Sequence, residues 1–188
     1  MERCSWSRKN ERMQEYHDNE WGRPYTDDSY LFELLTLEGA QSGLSWNTVL
    51  AKRHHYQEAF QQFDIQKCAS MTDEDLEYIR NHYGVIKHPA KLASVRNNAV
   101  KVLTIQDEYG SLSSFFWRYV DFTPIIHEWK EEAEVPSYTE LSTQISRELK
   151  KRQFKFVGPV TVYSFMQAIG MVDDHVRTCP CHSKNTNA

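Results

Sequence analysis

A chain of 188 residues is long enough for one ordinary hydrophobic core, so it needs neither a metal nor disulfides merely because it is small; a single domain is expected, or two closely packed helical lobes with a cleft between them. Its 22 Lys+Arg against 26 Asp+Glu give a formal net charge of -4, which excludes nonspecific coating of nucleic acid by overall charge and leaves only a local basic face. The chain opens on charged residues and no apolar run approaches membrane length, so the expectation is a cytoplasmic protein, without a membrane partner, whose four cysteines are ligands or small buried residues.

Taken in chain order, the stretch RCSWSRKNERMQEYHDNEW carries Cys4 and His17, the first two soft metal ligands. From Ser29, SYLFELLTLEGAQSGL sets Leu31, Leu34 and Leu35 at helical spacing behind Asp28, a cap candidate. The next position on that leucine stripe is Glu38, a carboxylate where a core residue is expected. SWNTVLAKRHHYQEAFQQF continues helically on Trp46, Val49, Leu50, Tyr56 and Phe60, and Cys68 in DIQKCASM reads as a buried thiol. TDEDLEYIRNHYG opens with Thr72 and Asp75 in capping-box spacing and stops at Gly84. Pro89 suits the first turn of a long helix ending at Gly110, and Ser111 caps SLSSFFWRYV. From Asp121 to Ser137 the pattern dissolves into an acidic, proline-bearing loop; YTELSTQISRELKKRQF and GPVTVYSFMQAIG then restore helical periodicity. No alternating strand pair is evident, and the predicted class is all-α.

Two segments carry chemistry. In DDHVRTCPCH, His175 and Cys179 stand four apart, which on a helical turn ended by Pro180 puts both side chains on one face. With Cys4 and His17 they would make a Cys2His2 set, a donor chemistry that favours zinc and leaves no open position. Spacing alone leaves open whether these are ligands or ordinary residues near the two ends, and Cys181 and His182 compete for the role. A zinc deaminase is excluded because its His-x-Glu and Pro-Cys-x-x-Cys signature fails at both HDNE and CPCH. The second segment, KKRQFKFVGPVTVYSFMQAIG, reads as helix, tight turn and helix. The turn at Val157 and Gly158 could offer backbone N–H groups to a phosphate, helped by Lys155 and by Arg147, Lys150, Lys151 and Arg152; the alternative is a solvated helix face.

MERCSW, YHDNEWG, LFELLTLEGAQSGLSW, KFVGPVTVYSFMQAIG and DDHV through to Cys179 together resemble the DNA-3-methyladenine glycosylase I family of the helix-hairpin-helix DNA glycosylase superfamily, over nearly the whole chain. The resemblance implies the helix-hairpin-helix glycosylase fold, with one structural zinc on Cys4, His17, His175 and Cys179 joining the N- and C-terminal segments. It implies that Glu38 reads a flipped base, with Tyr16 and Trp46 stacking on it and Trp6 nearby. The implied reaction is hydrolysis of the N-glycosidic bond of 3-methyladenine in alkylated duplex DNA by a monomer, leaving free base and an abasic site. An inactive zinc-stabilised DNA-binding module of the same fold is the competing reading. Val160 stands where bifunctional relatives carry a Schiff-base lysine, so no strand cleavage is expected. The superfamily's catalytic Asp has no counterpart at the expected spacing, and the group that activates water is unassigned. Two departures are visible: FVG lacks the hairpin's first glycine, and Pro89 and Ala90 replace a basic residue and a glycine. Leu44, between Glu38 and Trp46 and behind Ser42 and Gly43, is either the apolar wedge that fills the gap left by the flipped base or a core leucine.

Overall fold

The computed structural model describes residues 2–186 and is built almost wholly from helices. At its centre lies α2 (Asp28–Ala40), in which every residue from Leu31 to Ala40 is buried, so the helix is enclosed on all sides rather than amphipathic. It packs against α3 (Trp46–Leu50), α7 (Pro89–Tyr109), α8 (Leu112–Trp117) and α10 (Pro159–Ala168). The surrounding elements are α1 (Glu11–Asn19), α4 (Arg53–Ala59), α5 (Ile65–Ala69), α6 (Asp73–His82), α9 (Glu140–Lys151) and a last turn, α11 (Ser183–Thr186). One continuous core runs from Leu31 to Val172 and includes Cys68, fully buried as expected.

The local signals act largely as read. Thr72 and Asp75 close a reciprocal capping box on α6, Pro89 stands in the first turn of α7, and Gly110 ends α7 in the left-handed region at φ 82°. Ser111 caps α8 by accepting from the Ser114 amide. Four expectations are corrected. Asp28 does not cap its own helix: Asp27 accepts from the Tyr30 amide, while the Asp28 carboxylate takes the Leu112 and Ser113 amides at 2.8 and 2.9 Å and the Gln106 side chain at 2.7 Å. It thereby ties the start of α2 to the start of α8, and Asp28→Ala is expected to lower stability by about 2 kcal/mol in a denaturant melt, since three buried-end donors lose a charged acceptor. The segment 46–63 is not one helix but breaks at Ala51 and Lys52, where Lys52 leaves α geometry (φ -104°, ψ 0°) and its ammonium donates to the Gly84 carbonyl at 2.7 Å. A strand pair does form: β1 (Ile125–Ile126) lies parallel to β2 (Val172–Asp173), with Ile125 opposite Val172. Two residues per strand are too few to alternate visibly, and the pairing comes from tertiary contact. Finally, His175 and Cys179 sit on irregular turns after β2, not on a helix; their approach is set by the Cys179 amide, which donates to Val176 O at 2.7 Å.

The turn between α9 and α10 forms the hairpin. Its missing glycine is replaced by Phe156 in the left-handed region at φ 54°, a conformation costing a non-glycine residue about 1 kcal/mol, whereas Gly158 has an ordinary φ of -64°. The strain is held from outside: Asn98 on α7 bonds both the N–H and the C=O of Lys155 (2.9 and 3.0 Å), and Ser146 on α9 donates to Val157 O at 2.6 Å.

Candidate active site and metal cluster

Helix α2 buries two glutamates five residues apart, and their fates differ. Glu33 is neutralised by Arg53 at 2.6 Å and also accepts from the Gln57 side-chain amide at 2.9 Å. Glu38, only 6 % exposed, has no hydrogen-bond partner among the described residues, and burial pushes its carboxyl up to about 8. It faces a cavity of about 330 Å³, a size within the range of small-molecule sites. Tyr16 from α1, Trp46 from the start of α3, and Trp6 from the 3-10 turn Ser5–Lys9 line the same cavity. The Tyr16 and Trp46 rings stand 5.2 Å apart at 50°, so they form one continuous wall rather than two jaws. The Tyr16 hydroxyl and the Trp46 indole N–H are both buried without a partner, and burial followed by the nearby Glu38 holds the Tyr16 phenol well above its usual range. Three unpartnered polar groups in one aromatic cavity are costly in a folded protein, and the cost points to a ligand that pairs with them.

Sequence reasoning missed the other polar walls. Gln41 lies one turn beyond Glu38, and Ser164 and Gln167 share a face of α10 at i, i+3 spacing, a signal readable in principle. Asp174 also lines the cavity, 2 % exposed, and accepts four hydrogen bonds: His127 (2.6 Å), Trp129 (2.7 Å), Tyr163 (2.6 Å) and Gln167 (2.8 Å). It anchors the 121–137 loop, α10 and the C-terminal segment together.

The four predicted ligands do converge. Cys4, His17, His175 and Cys179 are all buried, with ligand atoms within 4.8 Å of one another. Cys179 Sγ stands 3.5 Å from both His17 Nε2 and His175 Nδ1, and Cys4 Sγ stands 3.8 Å from His175 Nδ1. Tetrahedral donors at about 2.3 Å for sulfur and about 2.0 Å for nitrogen would sit about 3.6 Å apart, so the donor set fits a four-coordinate ion. The remaining ring nitrogens are engaged as in known metal sites: His17 Nδ1 meets Asp18 at 2.8 Å, and His175 Nε2 meets the Trp21 carbonyl at 3.2 Å. Gly22, at φ 77°, makes room, since a Cβ there would lie 3.0 Å from His175 Nε2. Hydrogen bonding with Cys4, then with His17 and His175, holds the Cys179 thiol well below its usual range while Cys4 beside it is raised. The competitors separate. His182 is committed elsewhere, its ring bonding the His127 carbonyl at 2.8 Å and accepting from the Lys184 amide at 3.2 Å, whereas Cys181 is a half-buried outlier 3.9 Å from the far nitrogen of His17. Trp6 joins the cluster to the cavity: its ring meets His17 at 5.3 Å and Trp21 at 5.1 Å, and Trp21 meets His175 at 4.6 Å.

Leu44 is 41 % exposed in the turn after α2 and does not line the cavity, so the core-leucine reading is removed. Lys155 is exposed, but the Val157 side chain is 2 % exposed, so only its backbone could meet a partner. Of the basic cluster, Arg147, Lys150 and Lys151 are exposed, while Arg152 is paired to Glu108 at 2.6 Å and Glu148 at 2.9 Å and lies over Tyr109.

The helical fold encloses a cavity with the size and lining of a small-molecule site, aromatic rings around an unpaired carboxylate. The sequence model of the methyladenine glycosylase family matches residues 6–182. The DNA-3-methyladenine glycosylase of Haemophilus influenzae is 45 % identical over 179 residues, covering 95 % of this chain and 97 % of that one. DNA-3-methyladenine glycosylase 1 of Escherichia coli K12 is 44 % identical over 185 residues, covering 98 % and 99 %. The structure of 3-methyladenine DNA glycosylase I from Staphylococcus aureus, described for its recognition of 3-methyladenine, superposes with a TM-score of 0.93 at 38 % identity over 96 % of each chain. The chain belongs to the methyladenine glycosylase family, whose members hydrolyse N-glycosyl bonds.

Proposed function

We propose that this protein excises 3-methyladenine from alkylated duplex DNA by hydrolysing its N-glycosidic bond. The observation that carries this reading is the buried Glu38, with no hydrogen-bond partner among the described residues, in a cavity walled by Tyr16 and Trp46, whose hydroxyl and indole N–H are themselves unpaired. A base inside the helix cannot reach such a cavity, so the nucleotide must leave the stack. It stacks on the Tyr16–Trp46 wall, and Glu38 accepts from its exocyclic amino group. N3-methylation leaves the base cationic, and a cation that donates hydrogen bonds draws Glu38 toward its ionised form, so the carboxylate neutralises by docking the damaged base and not its neutral parent. When the C1′–N9 bond breaks, its electron pair neutralises the base, which departs without needing a proton. Water adds to the sugar cation and releases its proton to solvent. The low-dielectric cavity concentrates the carboxylate's effect on the positive charge passing from base to sugar.

We further propose that Cys4, His17, His175 and Cys179 hold one structural zinc. Its chemistry there is crosslinking: with all four positions filled by protein, none is open to water or substrate. The residues themselves do the positioning, Cys4 fixing the turn that seats Trp6, and His175 fixing Trp21. Supporting the identification are the sulfur–nitrogen separations and the second partners of both imidazoles.

Product analysis tests the reaction. DNA carrying one 3-methyladenine should yield free base and an alkali-labile site with the strand intact before alkali, because Val160, 51 % exposed at the start of α10, offers no amine for a Schiff base. Trapping of an enzyme–DNA adduct by borohydride would contradict it.

A further inference from the structure

We propose that Lys91 is a positioning residue whose ammonium pins the turn carrying Leu44 to the end of α2 and so sets that turn's reach into the duplex. The inference rests on the reading of the site as a duplex-DNA glycosylase. Lys91 is the third residue of α7, where the helix's own dipole disfavours a cation, and it is only 8 % exposed. The hydrogen bonds its ammonium makes among the described residues go to backbone carbonyls and not to a carboxylate, and burial holds it below the usual range. What compensates is a pair of backbone carbonyls: Nζ donates to Ala40 O at 2.8 Å and to Ser42 O at 2.7 Å. Ala40 is the last residue of α2, so its carbonyl belongs to the negative end of that helix, while Ser42 belongs to the turn. The two bonds straddle Gln41, which lines the cavity.

A lysine that is buried and set against its own helix, yet retained by bonds to another element, is the local conflict expected where position matters more than stability. The turn has little else to hold it. Residues 42–45 are exposed, Gly43 takes φ 77° with nothing within 4 Å of a Cβ, and the Leu44 amide donates to Gln41 O at 2.6 Å. Ordering such a turn on DNA would cost affinity, and a preformed tie removes that cost. The same end of α2 also meets the hairpin: a Cβ on Gly39 would lie 3.2 Å from Phe156 Cβ, and His88, capping α7, sets its ring 6.4 Å from Phe156. The Leu44 turn, the start of α7 and the hairpin therefore share one junction, and Lys91 is its charged tie.

The test compares the parent, Lys91→Met, Leu44→Ala and the double variant, with two probes: a duplex holding a tetrahydrofuran abasic site, and free 3-methyladenine. Lys91→Met keeps the stem and removes the donors. It should weaken duplex binding about tenfold while changing free-base affinity less than about twofold. Because Lys91 acts through the Leu44 turn, the double variant should bind duplex no more weakly than the worse single variant by more than about twofold, and Lys91→Arg, which keeps donors for both carbonyls, should recover most of the loss. Should Lys91→Met not fold, Lys91→Gln is judged on the same outcomes. Unchanged duplex affinity, an equal loss for free base, or fully additive losses would overturn the inference alone. Failure of the parent to bind free base would overturn the glycosylase reading, and the inference with it.

Discussion

If the proposed zinc is held as described, a His175→Ala variant is expected to bind none and to fall in stability by more than about 4 kcal/mol, the range reserved for lost metals and broken buried networks. The reason lies in what the ligand cluster replaces. Around Cys4 the buried apolar cluster is Cys4, Val176 and Cys179, with Trp6, Trp129 and Cys181 packed beside it, too small to hold two chain segments by burial alone. Without one imidazole, Cys179 and Cys4 become buried thiols with no ion to share, and Trp21 loses the ring packed 4.6 Å from its own. Cys4→Ser should act alike, and it should also free the turn that carries Trp6. Metal analysis beside a melting curve checks this, with free-base binding as the second readout: affinity should fall, because Cys4, Trp6 and Trp21 line the cavity that Glu38 faces. A zinc-free variant of full stability that is merely inactive would mean that the metal does chemistry.

Glu38→Gln is expected to stabilise the protein at neutral and alkaline pH. The carboxyl sits at about 8 in the folded state because burial penalises its charge, against about 4.3 in an unfolded chain. A folded value raised above the unfolded one means that stability is full below about pH 4 and is lost as pH rises toward and through about 8. The loss approaches about 5 kcal/mol above pH 8, and a neutral amide of the same shape does not incur it. Denaturant melts from pH 5 to pH 9 should show a downward slope in the parent that is reduced in the variant. Equal slopes would mean that Glu38 is solvated or paired. A residue that destabilises the fold it sits in is retained for what it binds.

Much of this was legible in local sequence. Caps, proline starts and the Gly110 stop depend on neighbours within a few residues, and those elements fall where they were read. What failed depended on distance. Asp28 looks like a cap for the helix that follows it, but its acceptors are better used on amides 84 and 85 residues away. The β1–β2 pair joins segments whose side chains carry no alternation, and the four donors on Asp174 come from two separate stretches, the 121–137 loop and α10. Glu38 could be singled out because it breaks an apolar stripe, although Glu33, equally buried, shows that position alone does not separate a reader from a structural ion pair. The metal quartet was legible as a resemblance, since Cys4 and His175 lie 171 residues apart and no spacing rule reaches that far. Lys91 left no signal, because its partners are backbone carbonyls that any sequence would supply.

The most direct test of the account is release of 3-methyladenine from a duplex bearing one such lesion, followed under single-turnover conditions for the parent and for folded Glu38→Gln at pH 7. The account predicts stoichiometric release by the parent and a rate at least about 100-fold lower for the variant, the usual scale for removing a charge-stabilising group from a closed site. Binding of an abasic duplex should persist. Release at the parental rate by the folded variant would contradict the assignment of Glu38 as the reader of the damaged base.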